Sequence, residues 1–175
     1  MILSHQRGVA AHGPGFAAHV LVGDTVPMED HEVEPIQGTM VGWHAFLAGD
    51  PAVPLEDLLH PEVVFWSPVL FRPQHGRDLA AMYLNAAYKV FPGDRPENAT
   101  GSEEFAAGSF RYTKKVFDGN HAVLEFETQI DGIHVNGVDI VTCDDEGLIV
   151  EFKVMLRPFR AIEVARDRMV AVLGG

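Results

Sequence analysis

The chain has 175 residues, 47% of them hydrophobic, and a formal net charge of −12. That is enough apolar material for one domain with a core, while the acidic balance argues against nucleic acid and anionic membrane, both of which need clustered Lys and Arg. The single cysteine, Cys143, excludes an intramolecular disulfide framework and a multi-cysteine zinc site, and no apolar run reaches the roughly 18 residues of a membrane span.

Residues 1–39 carry four of the nine histidines, five glycines, three prolines and one basic residue, Arg7, without sustained periodicity. Such a composition buries too little surface to offset chain entropy, so this stretch reads as a mobile N-terminal extension, with the folded domain at 40–175. His5, His12 and His19 recur every seven residues, but with no carboxylate or cysteine at ligand spacing they are not expected to form a metal site. Met28 or Met40 would begin a more compact protein. His, Gly and Pro interrupt the N-terminal stretch before it reaches signal-peptide length, so a cytoplasmic protein is expected.

From Met40 the pattern tightens. Met40, Trp43, Phe46 and Leu47 share one helical face, and Gly49-Asp50-Pro51 stops that helix. "LEDLLHPEVVFWSP" predicts a helical turn, a break at Pro61 and a strand ending at Ser67-Pro68. "GRDLAAMYLNAAYKVF" is a second amphipathic helix, with Leu79, Met82, Tyr83, Ala86 and Val90 expected on its inner stripe. A polar loop from Pro92 to Gly101 follows. The segments "SFRYTKKVF", "HAVLEFETQI", "HVNGVDIVTC" and "LIVEFKVMLRP" are strands separated by "DGN", "DGI" and "DDEG" turns, which describes an antiparallel meander. An amphipathic helix from Phe159 to Leu173, carrying Ile162, Ala165 and Met169 on one face, closes an α+β order of elements.

One residue breaks the pattern. Asp139 lies inside an apolar strand, five residues before the acidic turn, on the face it shares with Val141 and Cys143. Desolvation there disfavours the charged form, so its pKa is expected to rise. A structural acid, hydrogen-bonded to a helix amide or a tyrosine, is the alternative. His44 on the first helix is the nearest candidate base. His60, His75, His121 and His134 fall beside turns without a ligand pattern.

From about Met40 to Leu173 the chain resembles the SnoaL-like branch of the nuclear transport factor 2-like superfamily. The resemblance rests on "FLAGDPAVPLEDLLHPEVVFWSPV", "FRYTKKVFDGNHAVLEFE" and "GVDIVTCDDEGLIVEFKVMLRP" in that order. It implies a curved antiparallel sheet with helices over its concave face, enclosing an apolar pocket. It also implies a fold shared by isomerases, cyclases, dehydratases and epoxide hydrolases, so fold does not decide function.

The ketosteroid isomerases of this superfamily carry an oxyanion-hole carboxylic acid eight residues before a turn glycine, the relation of Asp139 to Gly147. Their general-base aspartate precedes a proline where this chain has Ser67, and their oxyanion-hole tyrosine falls at Gly42. With both replaced, steroid isomerisation is not expected.

The expected site therefore has Asp139 as the catalytic residue, with Trp43, Phe65, Ser67, Tyr83, Phe126, Phe152 and Leu156 around the substrate and no metal or cofactor. The expected partners are a small apolar, oxygen-bearing ligand and a second copy of the chain, pairing through the outer sheet face that carries Val123 and Met155; neither nucleic acid nor membrane is expected. A cofactor-independent enzyme, a non-catalytic binding protein and a dimeric interaction module all fit this reading.

Overall fold

The structure, a computed structural model, describes residues 34–91 and 109–174. His5, His12, His19 and the loop expected from Pro92 to Gly101 lie outside the described residues. The elements in chain order are α1 (Pro35–Leu47), α2 (Leu55–Leu58), β1 (Leu59–Trp66), β2 (Gln74–His75), α3 (Arg77–Val90), β3 (Arg111–Asp118), β4 (His121–Ile130), β5 (Ile133–Cys143), β6 (Ile149–Arg157) and α4 (Phe159–Leu173).

α1 begins before the expected domain boundary at 39/40. Ile36 is fully buried and continues the stripe of Met40 and Trp43 one turn earlier, with Pro35 in the first turn, where its missing N–H costs nothing. The Thr39 hydroxyl donates to the Gly147 carbonyl at 2.8 Å, tying the helix to the β5–β6 turn. The folded region therefore takes in Pro35 to Thr39.

The six strands form one sheet in the order β2-β1-β6-β5-β4-β3. β3 to β6 make the expected antiparallel meander. β1 joins it in parallel beside β6, and the two-residue β2 adds an edge that the sequence reading lacked. Register shifts interrupt β1–β6, β3–β4 and β5–β6, and such bulges bend the strands they occupy.

Burial alternates along β4 and β5, so that Ala122, Leu124 and Phe126 share the covered face with Val135, Asp139 and Val141. α1, α3 and α4 lie against that face. α3 does so through Ala80, Ala81, Leu84 and Ala86, whereas Met82, expected on the inner stripe, is 45% exposed. The small alanines let α3 come close to β1, and the large side chain turns outward. α4 packs through Ala161 and Ala165 over a second cluster around Phe126, Ile130 and Val135. Among the described residues no helix is long and apolar enough to cross a membrane.

Candidate functional site

Between the covered sheet face and the three long helices lies a cavity of about 480 Å³. Its walls are largely apolar and rich in aromatic rings. Trp43 and Phe46 descend from α1, Tyr83 and Tyr88 from α3, and Phe65, Phe126 and Phe152 rise from the strands. Phe65 stacks on Tyr83 at 5.7 Å between ring centroids, and Trp43 tilts over Phe152 at 4.9 Å. Rings locked by one another give a pocket rigid apolar walls with little loss of rotamer freedom on binding.

One carboxyl enters this wall. β5 delivers Asp139 from between Leu124 and Val154 on the neighbouring strands, and the residue is only 5% exposed. The Tyr112 hydroxyl, on β3, donates to Asp139 Oδ2 at 2.7 Å, and the Trp43 indole N–H donates to the Tyr112 oxygen at 2.9 Å. Burial pushes the Asp139 carboxyl up to about 7, against the opposing pull of the Tyr112 hydrogen bond, which favours the carboxylate. The Tyr112 phenol is raised well above its ordinary range, by burial first and then by the neighbouring Asp139 charge. The pair thus holds a neutral phenol beside a carboxyl that keeps its proton to far higher pH than an exposed aspartate does.

Asp139, Trp43, Phe65, Ser67, Tyr83, Phe126 and Phe152 all line the cavity. Leu156 does not. It pairs with Gly137 near the far end of β6 and packs into the second cluster beneath α4, because that helix covers the strand there. Ser67 borders the cavity while its Oγ accepts the backbone N–H groups of Val69 and Leu70 at 3.1 and 3.3 Å, which is turn chemistry.

Phe126 depends on its cross-strand partner Gly137: a Cβ there would fall 2.2 Å from the ring's Cζ, so only glycine lets the ring lie across β5. Gly42, where the ketosteroid-isomerase comparison expects a tyrosine, faces Leu58, whose Cδ2 stands 2.7 Å from where a Cβ would lie. A larger residue there meets α2.

His44 is not in the cavity wall. Its Nδ1 donates to the Met40 carbonyl, which leaves Nε2 to accept from Lys115 Nζ at 2.8 Å. Burial, outweighing the Met40 bond and aided by the Lys115 charge, lowers its pKa. The ring is therefore neutral and already engaged on both nitrogens.

Tyr112 was missed from sequence. Its inward position was legible in the alternation of Phe110 and Tyr112, but its reach to Asp139 depends on the β3–β4 register and on the bulge between Tyr112 and Lys114. Among the described residues no three His, Cys, Asp or Glu side chains are grouped to hold a metal ion.

No family model matches the chain, and no curated protein does. Solved structures do. The chain is similar to a steroid delta-isomerase from Pseudomonas aeruginosa, with 30% identity over 80% of this chain and 92% of that one, at a TM-score of 0.67. It is also similar to an uncharacterized bacterial protein with a cystatin-like fold from Silicibacter pomeroyi, with 30% identity over 76% and 83% of the two chains and a TM-score of 0.61. An NTF2-like protein of unknown function from Mesorhizobium loti shares the fold at 22% identity, covering 73% of this chain and 98% of that one with a TM-score of 0.53. The chain belongs to the nuclear transport factor 2-like superfamily, in its SnoaL-like branch.

Proposed function

We propose that the cavity takes a small apolar molecule bearing one oxygen, and that Asp139 meets that oxygen. The observation that carries this reading is a single buried carboxyl, its pKa raised by burial, in a largely apolar wall rich in aromatic rings. Each buried methylene of a ligand contributes about 0.8 kcal/mol and a hydrogen bond about 1 kcal/mol net, so the walls supply affinity and Asp139 supplies orientation. Protonated, it donates to a carbonyl; ionised, it accepts from a hydroxyl. A carboxyl of that pKa is also a competent general acid, and proton donation to a substrate oxygen asks for no metal or organic cofactor.

A second reading, binding without catalysis, has its own support. Among the described residues lining the cavity Asp139 is the one carboxylate, and the position of the isomerase base is Ser67, whose oxygen closes a turn. Nothing in the wall pairs with Asp139 as a separate base.

Calorimetry with 2-tetralone, a ketone that can only accept a hydrogen bond, tests the site. Wild-type affinity should fall about tenfold from pH 6 to pH 8, following the protonated fraction of Asp139, whereas Asp139→Asn should show no such fall. A wild-type affinity flat across that range, equal to that of the variant, would remove Asp139 from ligand recognition. Exchange of the ketone's α-hydrogens with solvent deuterium separates the two readings, because only an enzyme accelerates it above buffer.

We also infer that the chain pairs with itself through the uncovered sheet face. There Val116, Val123 and Ile140 are adjacent across three strands, with Met155 beside Val138, and Val116 and Met155 are more than half exposed. Apolar rows of this kind mark interfaces. Light scattering at micromolar concentration should return twice the 19.2 kDa chain mass; the monomer mass would refute pairing.

A further inference from the structure

The proton inventory of the Trp43–Tyr112–Asp139 chain is restricted at one end. An indole N–H can only donate, so the hydrogen bond at 2.9 Å occupies one acceptor direction of the Tyr112 oxygen. The phenol has a single proton, and with Trp43 on one side that proton lies along the other polar contact, toward Asp139 Oδ2 at 2.7 Å. Phe110 packs against the phenol ring in a T-shaped contact at 5.0 Å, and the hydrogen bonds at its oxygen hold its other end. Tyr112 therefore cannot swing to satisfy a ligand without breaking both hydrogen bonds. The Asp139 oxygen not bonded to Tyr112 is left as the polar atom for the cavity.

We propose that Trp43 is a positioning residue of this site: by donating to Tyr112 it directs the phenolic proton onto Asp139 Oδ2, and so decides whether Asp139 meets a ligand as donor or acceptor. Donation into the Tyr112 oxygen polarises its O–H bond, and a more polarised O–H stabilises the carboxylate it serves. Without Trp43 the phenol is a poorer donor, Asp139 holds its proton to higher pH, and the cavity stays selective for carbonyl ligands over a wider range. The arrangement gives a ligand oxygen one hydrogen bond, from Asp139, with Tyr112 working behind it.

Other charges border this chain. His44 of α1 and Lys115 of β3 lie on the Tyr112 ring side, Lys115 Nζ at 5.6 Å from the ring centroid. Tyr83 and Tyr88 of α3 and Arg166 of α4 line the cavity, whereas the residues facing it from β1, β4 and β6 carry no ionisable group. Burial lowers the pKa of His44 below its ordinary value.

The inference rests on the ligand reading given above, and one set of titrations separates the failure of each. The pH midpoint of 2-tetralone affinity is measured for the wild type, for Tyr112→Phe, for Trp43→Phe, and for Trp43 replaced by benzothienylalanine, which keeps both rings and lacks the N–H. Tyr112→Phe should raise the midpoint by roughly one pH unit, as expected for a hydrogen bond to a charged group. Both Trp43 variants should raise it by less, and in the Tyr112→Phe background Trp43→Phe should raise it no further, because its effect passes through the phenol. His44→Gln should leave it in place. Should Trp43→Phe fail to fold, the benzothienylalanine protein carries the test. An unmoved midpoint in that protein, an equal shift with and without Tyr112, or a shift in His44→Gln as large as that of the Trp43 variants would overturn the assignment of Trp43. Absence of any midpoint in the wild type would instead overturn the ligand reading beneath it.

Discussion

Two aspartates of one hairpin answer to opposite physics. Asp131 sits at the β4–β5 turn with φ of 52°, open to water, and Arg168 of α4 binds its carboxylate through Nε at 2.8 Å and through a second nitrogen. That partner holds its pKa below the ordinary value. Asp139 lies eight residues further on, within β5, between Leu124 and Val154, hydrogen-bonded by Tyr112 and with no cation bonded to it, and burial lifts its carboxyl to about 7. The residue type is constant and the hairpin is shared. What differs is whether water or a cation is available to the charge, and that difference lowers one carboxyl's pKa and raises the other's.

The comparison breaks most visibly through stability. Asp139 has a folded pKa raised above the unfolded value, so its contribution is complete below the unfolded pKa near 3.8 and is lost as pH rises to about 7. Ionising the buried group over that interval costs about 4 kcal/mol, at about 1.4 kcal/mol for each tenfold change. Asp139→Asn removes this titration while keeping a hydrogen-bonding side chain. In denaturant titrations the variant should gain on the wild type between pH 4 and pH 8 by an amount of that order. A gain running the other way would mean that Asp139 is ionised and paired in the folded protein.

Gly137, between the two aspartates, tests how the cavity end of the hairpin is kept open. Gly137→Ala places a methyl group against the Phe126 ring, and overpacking of this kind costs about 1–3 kcal/mol. Phe126 must move, so ketone affinity should fall with stability. The double variant Gly137→Ala, Phe126→Leu should recover part of the loss. Gly137→Ala with wild-type melting and affinity would show that the strand yields easily.

The smallest effect belongs to Asp131. Its contribution is present above the unfolded pKa and is lost as pH falls through the lowered folded value, the reverse of Asp139. The exposed Asp131→Asn variant should differ from wild type only slightly, more at low salt than at high salt. A pH dependence as large as that of Asp139→Asn would erase the distinction between the two.

The sequence made Asp139 legible because a carboxylate in an apolar run violates strand patterning, and period-two alternation then assigned its face. The aromatic walls were legible for the same reason: Trp43, Phe65, Phe126 and Phe152 each fall on an inward position of a helix or strand. Tyr112 was not, since its contact spans 27 residues and passes through a bulge that no local pattern marks. Leu156 was assigned to the site by alternation alone, which gives a face but not a position along the strand, and α4 covers that end. β1 beside β6 in parallel was hidden because pairing between strands so distant in sequence is set by packing. The start of α1 was hidden by Pro35 and Gly38, which read as loop until Ile36 is seen to be buried.

Titration of Asp139 near neutrality inside the folded protein is reported directly by its carboxyl signal. Protein labelled with ¹³C at aspartate side-chain carboxyls, compared with Asp139→Asn to assign the resonance, can be followed from pH 3 to pH 9. One aspartate carboxyl should show a midpoint at about 7 and be absent from the variant. An Asp139 resonance that titrates at or below the ordinary 3.8 would contradict it.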